Sequence, residues 1–225
     1  YYIKLAKMRK EIDTLQGLLD EAGTYFPPIL RSLQFSIFQR SLVGIGGRVG
    51  SGKSSLLLAI LGELALERPN DAGSACIRSA GRIAYCSQVP SLFTGTIRFN
   101  IQLFLPYDEE KMKLAVRLSC LDSDLFELPG GLDTLVGSRG VTLSGGQKAR
   151  ISIARAIYSD ADVYLFDDLF ASLDARVCNS IWINAVKGYL LVKGKTVILA
   201  TNQVHYFQSC SRLLFINDCT VTELT

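Results

Sequence analysis

Gly47-Arg48-Val49-Gly50-Ser51-Gly52-Lys53-Ser54 is the stretch on which the reading of this chain turns. An apolar, strand-like run, Ser41 to Ile45, leads into it, and an apolar, helix-like run, Ser55 to Leu66, leads out. The pattern is G-x-x-x-x-G-K-[ST] set between a strand and a helix. Gly47, Gly50 and Gly52 allow left-handed backbone angles, which turn N–H groups inward. Those groups and the positive end of the helix can cradle a polyphosphate. Lys53 supplies a point charge to the terminal phosphates, and Ser54 can offer its hydroxyl to Mg²⁺. The candidate nucleotide contacts here are Gly47, Val49, Gly50, Ser51, Gly52, Lys53, Ser54 and Ser55. The bland alternative is a glycine-rich turn that binds nothing.

The 225 residues suffice for one large domain, or one domain with a small subdomain. Apolar content is 48%, high enough to suggest a surface that docks on something. No run reaches the ~20 apolar residues of a spanning helix. Acids and bases are mixed and the net charge is +3, which makes no electrostatic case for nucleic acid as a partner. The six cysteines form no CxxC pair, and the single histidine, His205, leaves no histidine-based metal site. Reduced, mostly buried thiols are the expectation. The chain starts at Tyr1 without a signal-peptide pattern, and reads as a segment of something longer.

Tyr2 to Glu21 reads as a helix with an apolar stripe at Ile12, Leu15, Leu18 and Leu19, ended by Pro27-Pro28. Its basic residues come first and its acids last, against the helix dipole. Leu33, Phe35 and Ile37 alternate with polar residues as a half-buried strand. Further strands are expected at Ala75–Arg78, Arg82–Cys86, Asp162–Asp167 and Lys195–Thr201, with a closing hairpin of Leu213–Ile216 and Thr220–Leu224. Helices are expected at Asp108–Leu121, Gly145–Tyr158 and Asp174–Gly188, and Pro129–Gly140 reads as a loop. Strands alternating with helices predict an α/β domain with a mainly parallel sheet.

Two further motifs demand a nucleotide. Tyr164-Leu165-Phe166-Asp167-Asp168 is an apolar strand ending in two carboxylates. Asp167 suits Mg²⁺ assistance, and Asp168 suits a general base acting on water. A strand-end turn or a helix cap is the plainer reading of the pair. Leu143-Ser144-Gly145-Gly146-Gln147 opens a helix with a good N-cap and exposed N–H groups, a second anion-binding end. Two such ends in one domain suggest two copies arranged head to tail, each completing the other's site.

The chain resembles the nucleotide-binding domain of an ATP-binding cassette (ABC) transporter over roughly residues 28 to 225. Lys53–Ser54 match the Walker A motif, Gln88 the Q-loop, Leu143–Gln147 the signature and Val163–Asp167 the Walker B strand. Ala84–Gln88, Gly95–Ile101 and Ala149–Ala156 resemble subfamily C, the group of the multidrug-resistance-associated proteins and the cystic-fibrosis chloride channel. Tyr164–Asp168 resembles the first of the two nucleotide domains in such proteins. The resemblance implies a P-loop NTPase fold, with a helical signature subdomain at about 90–158 and a small antiparallel β-subdomain at the start. It implies ATP and Mg²⁺ as cofactors, with Ser54, Gln88 and Asp167 at the metal. Ser144, Gly145, Gly146 and Gln147 would close over a γ-phosphate held by a second nucleotide-binding domain, and Asp174 matches the loop that crosses the dimer interface. Tyr25 is the candidate adenine-stacking aromatic, with Phe26 as good. The implied partners are that second domain and transmembrane domains of the same protein. Residues 1–26 would be a linker helix after a membrane domain, and this domain, 27–225, would lie on the cytoplasmic face.

The sequence departs from the family where hydrolysis is performed. Asp168 stands where the catalytic Glu is usual, so its carboxylate sits on the order of 1 Å back, a misplacement that can cost ~10²-fold in rate. Asn202 replaces the switch histidine and carries neither charge nor proton at neutral pH. His205 does not match that position. Ala171 replaces a Ser, and Leu169 stands where Pro is usual. With Asp168, Gln88 and Asn202 as the catalytic candidates, the expectation is firm Mg-ATP binding and slow hydrolysis at this site. The intact signature would serve a faster site on the partner domain, and the pair would drive export. The alternatives are a nucleotide-gated regulatory domain of a channel or receptor, and a soluble ABC ATPase of DNA repair or translation. The stretch between Lys53 and Ser144 is too short for the long coiled coil of the DNA-repair relatives.

Overall fold

The structure, a computed structural model, describes residues 29–31, 33, 35–64, 81–137 and 142–224. The expected helix Tyr2–Glu21, the aromatic pair Tyr25 and Phe26, and the strand Ala75–Arg78 lie outside these residues. Six strands form one sheet: β1 (Leu42–Gly47), β2 (Ile83–Cys86), β5 (Val163–Asp167), β6 (Thr196–Ala200), β7 (Arg212–Asn217) and β8 (Thr220–Leu224). Their order is β2-β5-β6-β1-β7-β8, and every pairing is parallel except the closing hairpin β7–β8. That hairpin turns through Asp218 and Cys219, both at positive φ (47° and 63°), as a tight two-residue turn requires.

The apolar runs are nearly continuous because the sheet is covered on both faces. Alternate residues of β5 enter different cores. Tyr164 and Phe166 join Cys86, Ile151, Ile181 and Trp182 in one cluster. Leu165 faces the other way, with Val43, Ile45, Leu56, Leu57 and Ile198. The helix after the phosphate loop, α1 (Lys53–Leu61), supplies Leu56 and Leu57 to that second face. It stops at Gly62, which takes a left-handed angle (φ 77°) while Glu63 N–H donates back to Leu58 O, so it is shorter than the apolar run to Leu66.

The first cluster continues into a helical region. It comprises α2 (Ile97–Gln102), α3 (Glu109–Leu118), α4 (Asp122–Glu127) and α5 (Gly145–Tyr158), with a two-stranded antiparallel sheet of β3 (Gly95–Thr96) and β4 (Leu135–Val136). The single helix expected over Asp108–Leu121 ends at Leu118, because Cys120 adopts φ 55°, and a new helix starts at Asp122. The expected loop 129–140 contains β4 and a 3₁₀ turn, Gly131–Asp133. Of the expected strand Leu33–Ile37, the described residues (33 and 35–37) form no ladder. Phe35 and Ile37 pack half-buried on the second core, and the segment is tied by Arg31 N–H to Cys219 O (2.7 Å). The last helix, α6 (Ala175–Ser180), continues with wider π turns through Ile181–Leu191. Among the described residues no helix is long and apolar enough to cross a membrane.

Candidate nucleotide-binding site

The phosphate loop joins β1 to α1 with Gly47 at φ 152°, Gly50 at φ 79° and Gly52 at φ 101°. Gly47 is required twice over. A Cβ there would lie 2.5 Å from Ser51 Oγ and 2.7 Å from Ile216 O. At Gly50 there is open space, so only the left-handed angle selects glycine. Val49, at the loop tip, is 89% exposed, and Ser55 is half-buried in the first turn of α1.

Lys53 is buried, and its ammonium donates to Gly47 O (2.9 Å) and Arg48 O (3.0 Å). Burial lowers its pKa, opposed by the Asp168 and Asp167 carboxylates. Its head is thus aimed along the loop, with acceptors weaker than an anion. The Ser51 hydroxyl is buried and has no hydrogen-bond partner, a rare condition that a phosphate oxygen would relieve. Turned glycines, an ammonium satisfied only by carbonyls and an orphaned hydroxyl fit a polyphosphate.

The sheet order delivers the acids. β5 lies between β2 and β6, so its end meets side chains from both neighbours. Asp167, only 4% exposed, accepts from Ser54 Oγ at Oδ1 (2.9 Å) and from Tyr85 OH at Oδ2 (3.1 Å). Burial, then the facing Asp167 carboxylate, pushes the Tyr85 phenol well above its ordinary range, so it acts as a donor. Ser54 and Asp167 are the oxygen donors that would hold Mg²⁺, which supplies charge neutralisation to bound phosphates.

Asp168 is held by a different set of partners, although its carboxylate, like that of Asp167, acts on the Lys53 ammonium. Its backbone adopts φ 45° and its N–H donates to Ala200 O (2.8 Å). The carboxylate accepts from Thr201 Oγ1 at Oδ1 (3.2 Å) and from Gln88 Nε2 at Oδ2 (3.4 Å). Gln88 is thereby brought to the general-base candidate. Asn202 is exposed and makes no hydrogen bond to Asp168. His205 is exposed against the Tyr206 ring (4.0 Å between centroids), outside the Asp168 network.

The second anion-binding end sits on α5. Ser144 and Gln147 form a full capping box: Ser144 Oγ accepts from Gln147 N–H (3.2 Å), and Gln147 Oε1 accepts from Ser144 N–H (2.9 Å). The other end of the Gln147 amide donates to Asp124 Oδ1 (3.3 Å). Asp124, on α4, is buried and holds Arg150 in a two-pronged bond (2.6 and 2.7 Å). Gly146 passes Ser172 O closely, since a Cβ would lie 3.3 Å from it, and Asp174 caps α6 by accepting from Val177 N–H (3.0 Å). No hydrogen bond among the described residues joins Ser144–Gln147 to the phosphate loop. Sequence reasoning missed Tyr85, Thr201 and Asp124. Tyr85, on the strand just before Gln88, and Thr201, next to Asn202, each had a neighbour that pointed to it, and Asp124 had none.

Loop, paired acids and glutamine define a phosphate-loop nucleotide-binding domain. The ABC transporter family matches residues 30–171, and the chain belongs to it. It is 40% identical over 85% of its length to human ATP-binding cassette sub-family C member 4. It is 40% identical over 87% to ABC transporter C family member 6 of Arabidopsis thaliana, and 39% over 86% to the cystic fibrosis transmembrane conductance regulator of Danio rerio. The chain spans 14, 13 and 12% of those proteins, respectively.

Proposed function

We propose that this chain is the first nucleotide-binding domain of a subfamily C transporter, binding Mg-ATP firmly and hydrolysing it slowly at its own loop. It pairs head to tail with a second nucleotide-binding domain, to which Ser144, Gly145, Gly146 and Gln147 offer the signature surface. The pair couples ATP binding and hydrolysis to export through transmembrane domains of the same protein, with this domain on the cytoplasmic face and no nucleic acid involved. The observation that carries the reading is the contrast between the two acids. Asp167 is set beside Ser54 and the loop, whereas Asp168 is short and tied by Thr201 and Gln88, with no histidine to assist.

The likeness to a conductance regulator supports a second reading, in which ATP binding itself is the signal and turnover is negligible. Mg-ATP binding and single-turnover hydrolysis by this chain, beside Lys53→Ala, test both. Binding that disappears in the variant, with slow hydrolysis by the unmodified chain, supports the slow-site reading. Hydrolysis at the variant's background supports the signalling reading. Fast hydrolysis would show that Asp168 suffices as the base, and an absence of binding would remove the nucleotide from both readings.

A further inference from the structure

The acids at the end of β5 are each held by two side chains, and the two holders of Asp167 are unlike in kind. Ser54 belongs to the phosphate loop. Tyr85 comes from β2, in the register Tyr85–Leu165 and Cys86–Phe166, which brings its ring alongside the strand that ends in Asp167. Its hydroxyl reaches Asp167 Oδ2 at 3.1 Å, while Oδ1 receives Ser54 Oγ at 2.9 Å. A carboxylate with one bond can swing about its terminal torsion, which is broad. One with a bond on each oxygen cannot. We propose that Tyr85 is a positioning residue for the divalent cation: by occupying Asp167 Oδ2 it keeps Oδ1 turned toward the Ser54 hydroxyl. Tyr85 touches neither nucleotide nor metal in this assignment, and acts only through Asp167. The inference rests on the Mg-ATP reading of the loop and adds to it a residue that fixes the metal's carboxylate. Outer hydrogen-bond partners of metal ligands characteristically change metal affinity 10–100-fold.

The test is a titration of ATP binding against Mg²⁺ in this chain and in Tyr85→Phe, with a parallel ATP titration in EDTA. The expected result is a roughly 10-fold rise in the Mg²⁺ concentration needed for half-maximal binding in the variant. ATP affinity in EDTA should be unchanged. Mn²⁺ in place of Mg²⁺ gives a spectroscopic readout, and its resonance spectrum with bound ATP should differ between the two chains. An unchanged Mg²⁺ midpoint overturns the proposal. So does a loss of ATP affinity that is equal with and without metal, which would mark Tyr85 as a packing residue. The unmodified chain separates this failure from failure of the reading beneath it. If its ATP binding ignores Mg²⁺, the Mg-ATP reading falls and the Tyr85 role with it.

Discussion

Asp168 gives one carboxylate oxygen to Thr201 and the other to Gln88, and its backbone is fixed by Ala200 O. Lengthening the side chain by one methylene extends the reach of the carboxylate by on the order of 1 Å. Asp168→Glu should therefore raise single-turnover hydrolysis on the order of 10²-fold, measured with excess chain over ATP. An unchanged rate would sink the slow-site assignment. Thr201→Val removes one holder of Asp168 without touching Asp167, and should alter the hydrolysis rate while leaving the Mg²⁺ midpoint of ATP binding in place. At this scale the sequence was readable where function is written in spacing. Lys53, Ser54 and the glycines announce themselves within eight positions. Tyr85 and Thr201 did not, because each meets its acid only after β2 and β6 have paired with β5, and no local spacing encodes which strands become neighbours.

The N-terminal end of α5 owes its shape to two layers. The inner one is local: the Ser144–Gln147 capping box, legible as a serine before two glycines and a glutamine. The outer one is the buried Asp124–Arg150 pair, with side chains 9 and 13% exposed, reaching across from α4. Ser144→Ala should cost about 1 kcal/mol of stability. Asp124→Asn should cost about 3 kcal/mol, since it leaves a buried guanidinium without its counter-charge. Asp133→Asn, which breaks the solvent-exposed pair with Arg98, should shift the urea midpoint far less than either. Equal midpoint losses for Asp124→Asn and Asp133→Asn would contradict the assigned burial. The α4 helix itself was not foreseen. The break at Cys120 depends on a left-handed angle at a residue that seldom adopts one, and the sequence pattern ran straight through it.

Across the molecule, the thiols carry a pH signature. Among the described residues five cysteines are free. Burial lifts the Cys86 and Cys210 thiols from 9.0 to about 11. In the unfolded chain they ionise first, so the folded state holds more protons between pH 9 and about 11. Their contribution is complete below that window and is lost as pH rises through it. For the fully buried Cys86 the loss amounts to about 3 kcal/mol. Cys86→Ala should flatten the alkaline decline in the urea midpoint, and an identical slope would exclude this cause. The parallel sheet and its continuous apolar strands were legible because burial on both faces leaves no alternation to mistake. Leu33–Ile37 misled for the opposite reason: its alternation is real and packs Phe35 and Ile37, but packing does not require a ladder.

The left-handed backbone at Asp168 also bears on how such a site changes over generations. Aspartate visits that region more readily than most side chains, and glutamate has no such ease. The exchange that would restore a longer carboxylate therefore asks the turn after β5 to bear strain, or to move.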